Sequence, residues 1–247
     1  MPIVFLSPST QDWNPYVTGS GSEEYWMNRI VDAMEPYLRS NGIRYRRNDP
    51  DTSAAAAIRE ANSGYYDFYL ALHSNAIGNG SAQTSARGII AFYYPGSAGG
   101  QRGAELIAKN LREIYPLPDK VTTRPTTALG EVSRSRFPAV LVEIGYHDNY
   151  SDALWLESHV EDVARQLVKA LTEYFGLPFI QPMDPKRGTV RLSYGTLNLR
   201  STPSSSGTVI AHLPNGAEVT VYGEWNGWYV VQYGDQVGYA AAAYIDV

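Results

Sequence analysis

The sequence predicts an α/β protein, with a mostly parallel or mixed sheet carrying helices on both faces, followed by a small all-β barrel. Three observations carry that expectation. Over the first 175 residues or so, short apolar runs alternate with stretches of helical period, the pattern of strands crossing over to helices. "LPFIQPMDPKRG" then places three prolines in twelve residues with neither period, which reads as a linker. Beyond Thr189 come short alternating strands and glycine turns, "PNG", "WNG" and "YGDQ", in about sixty residues. The expected divisions are therefore residues 1–176, a linker at 177–188, and 189–247.

Taken in order, "IVFL" at 3–6 is a buried strand that runs into the polar loop "SPSTQ". Ser22 caps a helix whose Trp26, Met27, Ile30, Met34 and Tyr37 recur at helical spacing, and Gly42 offers a left-handed end. "IRYRR" is the next strand, and Thr52 or Ser53 opens the alanine-rich helix "AAAAIREAN". "DFYLALH" (67–73) and "GIIAFYY" (88–94) are strands, the second followed by a Gly/Ser turn and the helix "GAELIAKNLREIY". "AVLVEIGY" (139–146) is the last strong strand, and one amphipathic helix from Ser151 closes the set at Gly176.

Composition excludes several classes. The chain has no cysteine, so disulfides, thiolate zinc sites and cysteine nucleophiles are out. A net charge of -5 without a basic run argues against a nucleic-acid surface. No apolar run approaches the ~20 residues a membrane span needs. No charged leader with an apolar run opens the chain, so no signal peptide is visible. A monomer is expected.

Chemistry is confined to few residues. Of the four histidines, His73 ends a strand, at the rim where α/β proteins bind ligands. Glu143 is a single carboxylate set into the apolar strand "AVLVEIGY", where an unpartnered charge is costly and calls for a partner or a task. Both strand ends are expected on one side of the sheet. One imidazole beside one carboxylate is half of a hydrolytic zinc site. Glu23, at the start of the first helix, shares a face with Met27, Ile30 and Met34 and points toward the sheet, whereas Glu24 faces solvent.

The ordered set of a first strand, a helix-start glutamate, "ALHSNA", "GIIAFYY" and "PAVLVEIGYHDN" resembles the zinc-dependent N-acetylmuramoyl-L-alanine amidases of the Amidase_3 type, over residues 3–175. The resemblance implies Zn2+ as cofactor, with Glu23 and His73 as ligands, Glu143 as the catalytic base, and Asn75 with the "SPSTQDWNPY" loop along the substrate groove. It implies cleavage of the amide between muramic acid and the L-alanine of the peptidoglycan stem peptide.

One ligand has no match. "SPSTQ" stands where the family carries His-Gly-Gly. Gln11 is correctly placed but offers only an amide oxygen. His147 in "GYHDN" is the better donor chemically, with Asp148 available to orient it, and a site completed by water is a third solution. A catalytically inactive peptidoglycan-binding protein that has lost its metal is the alternative that the missing histidine raises. A glycosidase pair of Glu131 and Glu143 is discounted, since Glu131 falls in a polar loop. His159 reads as structural or exposed, and His212 lies away from the cleft.

"LNLRSTPS", "VIAHLPNGAEVTV", "WNGWYVVQY" and "GYAAAAYI" resemble bacterial SH3-like domains, which implies a wall-binding module. Trp225, Trp228, Tyr229, Tyr233 and Tyr239 are candidates for its binding face or its core. The pairing implies an autolysin or endolysin acting outside the cell or in the cell wall.

Overall fold

The structure, a computed structural model, describes residues 1–78 and 83–247. Its contacts divide the chain into two compact units. One comprises Ile3–Met34 and Tyr45–Tyr174; the other comprises Met1–Pro2, Glu35–Arg44 and Phe175–Val247.

The first unit is built on a six-stranded mixed sheet, as the sequence predicts. In chain order the elements from Ile3 to Phe175 are β1 (Ile3–Pro8), α1 (Glu23–Ser40), β2 (Arg44–Arg47), α2 (Ala54–Ser63), β3 (Phe68–Asn75), β4 (Ile89–Tyr93), α3 (Ala98–Arg112), β5 (Val121–Pro125), α4 (Gly130–Ser133), β6 (Ala139–Tyr146), α5 (Tyr150–Ser158) and α6 (Val160–Phe175). The strand order is β2-β1-β3-β6-β4-β5. β1, β3 and β6 run parallel; β4 is antiparallel to β6 and parallel to β5. Central β3 is apolar on both faces, Phe68 through Leu72 being fully buried, because helices cover both sides. On one side Phe5, Tyr69, Ala71, Ala139 and Leu141 pack with Ala57 and Ala61 of α2 and Val132 of α4. On the other, Gly103 lets α3 approach so closely that a Cβ there would lie 2.6 Å from the Phe68 ring.

Three local expectations need correction. α3 begins at Ala98, not at Gly103, because the Ser97 hydroxyl caps the Gly100 amide and turns the expected loop into a first helical turn. The closing helix is two helices, broken at His159, whose backbone leaves helical geometry and whose ring nitrogen reaches the Trp155 carbonyl. β5 extends the sheet by an edge strand that no period announced.

Asp152 of α5 fastens the carboxyl end of β6 to the start of β4. Its buried carboxylate accepts from Arg87 Nε (2.7 Å), Tyr115 Oη (2.7 Å) and the amides of Gly88 and Tyr146 (3.1 Å each). Asp152→Ala leaves the guanidinium and the phenol without their acceptor. The expected cost is about 3 kcal/mol, read from the urea midpoint. An unchanged midpoint would show that the carboxylate is not holding the strand ends together.

The second unit is an all-antiparallel seven-stranded sheet in the order β13-β7-β10-β11-β12-β8-β9. The strands are β7 (Lys186–Val190), β8 (Thr196–Arg200), β9 (Val209–Pro214), β10 (Glu218–Trp225), β11 (Trp228–Tyr233), β12 (Gln236–Ala241) and β13 (Ile245–Asp246). Val190, Leu199, Val221, Val231, Ala240 and Ile245 fill its core. Asn226 and Gly227, both at positive φ (45° and 81°), make the two-residue turn joining β10 to β11, the geometry that an Asn-Gly pair adopts at little cost. The proline-rich segment before β7 has no regular structure, yet Ile180 within it is buried. Its amide and carbonyl bond the side chain of Asn41 at 2.6 and 2.9 Å. Tyr239 is fully buried with its hydroxyl on the Asn41 carbonyl (3.1 Å), so it serves the core and is not available to a binding face. Trp228 instead lines a groove of about 450 Å3 with Arg191, Tyr194, Asn198, Arg200 and Tyr244.

Candidate active site

The site gathers at the carboxyl ends of β1, β3 and β6. His73 pairs in register with Glu143 on the neighbouring parallel strand, so both side chains leave the same face of the sheet. Further down that face Tyr69, Ala71 and Leu141 are apolar core; at the top the chemistry turns polar. Glu23 enters from the first turn of α1. It is buried on the stripe shared with Met27, Ile30 and Met34, where a carboxylate also complements the helix dipole.

Gln11 follows β1, its backbone amide on the Ser9 hydroxyl (3.3 Å). Its side-chain amide lies 3.3 Å from Glu23 Oε1 and 3.4 Å from His73 Nδ1, while Nδ1 and Glu23 Oε1 are 2.8 Å apart. The second oxygen of Glu23 accepts from Asn14 Nδ2 at 2.8 Å. The opposite edge of the imidazole meets an unexpected residue: His73 Nε2 lies 2.8 Å from Glu131 Oε2. Glu131 sits on the one-turn helix α4 and is buried, not in an exposed polar loop. Its other oxygen accepts from Ser7 Oγ (2.6 Å) and Tyr69 Oη (2.8 Å). With both oxygens so engaged, Glu131 is not a free acid facing Glu143, which removes the glycosidase pairing.

His147 stands apart. Asn75 pairs with Tyr146 rather than with residue 145, so β6 carries one extra residue after Glu143, at Gly145 with φ of 75°. A one-residue slip exchanges the faces of everything beyond it. His147 therefore joins Ser74, with Nδ1 2.9 Å from the Ser74 carbonyl and the ring stacked on Tyr16, and no hydrogen bond among the described residues ties it to Glu23 or His73. Asp148 accepts the Ile77 amide (2.9 Å) rather than a bond from His147. Asn75 caps its own loop, Oδ1 taking the Ala76 amide at 2.8 Å.

Electrostatics follow from this crowding. Burial opposes charge on His73, but Glu131 and Glu23 outweigh it and hold the imidazole well above its ordinary range. Burial likewise works against ionised Glu23 and Glu131, and the His73 contacts outweigh it, lowering both. Glu143 has no such partner. Burial raises its carboxyl to about 7, with Glu23 and Glu131 adding to the rise against His73, and Oε2 has no hydrogen-bond partner among the described residues. It faces a cleft of about 340 Å3 whose other walls include Ala54, Ala55, Ile58 and Leu129.

A carboxyl whose folded pKa is raised stabilises the fold below its unfolded value and loses that contribution as pH climbs through the folded value. In chelator-treated protein the stability of wild type relative to Glu143→Gln should fall between pH 4.5 and about 7. The fall should be at most about 3 kcal/mol, from urea midpoints. A constant difference over that window would contradict the buried, unpartnered carboxyl.

Residues 10–173 match the family described as N-acetylmuramoyl-L-alanine amidase. The chain belongs to that family. Residues 195–246 match the bacterial SH3 domain. The amidase-family region is 28% identical over 170 residues to the N-acetylmuramoyl-L-alanine amidase LytC of Bacillus subtilis (strain 168), covering 67% of this chain and 34% of that protein, so the chain spans about a third of its relative's length. In fold it is similar to the N-acetylmuramoyl-L-alanine amidase AmiC2 of Nostoc punctiforme, with a TM-score of 0.62 at 16% identity over 71% of this chain and 97% of the other. It is similarly close to the catalytic domain of CwlV from Bacillus (Paenibacillus) polymyxa var. colistinus, with a TM-score of 0.61 at 17% identity over 71% and 99%.

Among the described residues no three His, Cys, Asp or Glu side chains converge as a metal cluster. Three protein donors for a metal are met at this site only when Gln11 is counted with Glu23 and His73. Three donors sharing a zinc ion with bonds of about 2.0–2.1 Å sit about 3.4 Å apart. Gln11, Glu23 and His73 are separated by 2.8–3.4 Å. Turning the Gln11 amide end for end brings Oε1 to that edge and forfeits the bond that Asn14 gives it. Ionised Glu23 and Glu131 around one imidazolium also leave net negative charge, which favours a cation.

Proposed function

We propose that this chain is a peptidoglycan hydrolase that cleaves the amide between the lactyl group of N-acetylmuramic acid and L-alanine of the stem peptide. One observation carries the reading: in a chain of the amidase family, an unpartnered carboxyl on β6 stands beside the Gln11–Glu23–His73 edge in a cleft that Ala54, Ala55, Ile58 and Leu129 line together with Glu131 and Arg134. Glu23, His73 and Gln11 would hold zinc. When bound, zinc lowers the pKa of a coordinated water and polarises the scissile carbonyl.

The chain's own residues do the rest. Glu143 takes the proton of the attacking water and passes it to the nitrogen of the departing alanine, a transfer suited to a carboxyl near neutral pH. Ala54, Ala55 and Ile58 shape an apolar wall that suits the alanine methyl. The second unit, through the groove at Tyr194, Trp228 and Tyr244, holds the chain on the wall and raises local substrate concentration. The place of action is then the cell wall or the outside of the cell.

The test is product identity. Purified peptidoglycan treated with zinc-loaded protein should release stem peptides with a free N-terminal alanine and leave glycan strands uncut. Protein that sediments with the wall and releases nothing would instead establish the inactive binding protein that the absent first histidine suggests. New reducing sugar ends would overturn both.

A further inference from the structure

We infer that Glu131 is a positioning residue, fixing the His73 ring so that Nδ1, and not Nε2, is presented to Glu23 and Gln11. The inference rests on the metal reading above. A carboxylate only accepts, so the 2.8 Å contact of Glu131 Oε2 requires a proton on Nε2. Glu23 Oε1, 2.8 Å from Nδ1, holds a proton there by the same rule, so both ring nitrogens carry one; a cation bound beside Glu23 and the Gln11 amide would replace the Nδ1 proton, while Glu131 keeps the one on Nε2.

Glu131 is itself immobilised. Ser7 Oγ from β1 and Tyr69 Oη from β3 both donate to Oε1, at 2.6 and 2.8 Å. Ser7 and Tyr69 on one face of the sheet thus hold Glu131 of α4, and Glu131 in turn holds one ring nitrogen of His73. A buried carboxylate serving packing alone would cost desolvation that an apolar side chain avoids. Spent on the imidazole, the same carboxylate orients the ring and raises its basicity as a ligand.

The experiment measures zinc affinity of the full chain by competition with a chromophoric chelator, for wild type, Glu131→Gln, Glu131→Ala and Tyr69→Phe, each checked for an intact unfolding transition. Loss of the carboxylate should weaken zinc binding by roughly 10- to 100-fold, more in the alanine than in the glutamine variant, whose carbonyl still accepts one bond. Tyr69→Phe should shift affinity in the same direction by less. In 15N-edited spectra of the zinc-loaded chain, the slowly exchanging Nε2–H of His73 should move upfield in Glu131→Gln. If Glu131→Ala does not fold, the other two variants and the spectrum decide. Folded variants that bind zinc like wild type overturn the inference and leave the proposed reaction standing. Wild type that takes up no zinc overturns the metal reading, and the inference with it.

Discussion

Replacing Glu143 with glutamine is expected to lower the rate of alanine release by roughly 10²–10⁴-fold, the usual contribution of a positioned acid–base group. Glutamine keeps the size and polarity of the side chain and removes only its capacity to carry a proton. The loss should fall on kcat, with KM and sedimentation with the wall little changed. Zinc affinity should also persist, because the Glu23–His73 contact and the Gln11 amide do not involve Glu143. A variant with wild-type kcat would remove Glu143 from the chemistry, and one that lost zinc would make it a ligand.

The second large effect concerns the missing histidine. Gln11→His puts an imidazole where the chain has a weak amide donor, and zinc affinity should rise by at least about tenfold, or 1.4 kcal/mol. Gln11→Ala should lower it by a similar factor. His147→Ala should leave it unchanged, since the bulge at Gly145 delivers that ring to Ser74 and Tyr16. Loss of zinc in His147→Ala with neutral changes at Gln11 would reverse the assignment.

Much of this site was legible in the sequence because each signal was local. His73 ends an apolar run, Glu143 interrupts one, and Glu23 lies on the inward stripe of an amphipathic helix; the structure brings all three to one face. Glu131 was not legible. A helix of four residues is too short to show a period, and its burial depends on Ser7, Tyr69 and His73, which lie 58 to 124 residues away in sequence. The only local hint is that Glu131 stands beside apolar Val132 and two residues after Leu129. The place of His147 turned on parity: counting alternate residues from Glu143 puts it on the Glu143 face, and one extra residue at a glycine reverses that. Glycine within a strand is a bulge signal, and Gly145 carried it. The antiparallel direction of β4 left no trace in its own residues, because a strand buried among others reads alike in either sense.

The central claim is that Gln11, Glu23, His73 and Glu143 form an amide-hydrolysing centre despite the altered first ligand. Its most direct test is the initial rate at which free alanine N-termini appear from purified peptidoglycan, for zinc-loaded wild type against zinc-loaded Glu143→Gln. Release by wild type that falls at least about a hundredfold in the variant is the predicted result. Equal rates, or no release from wild type that holds zinc and binds the wall, would contradict it.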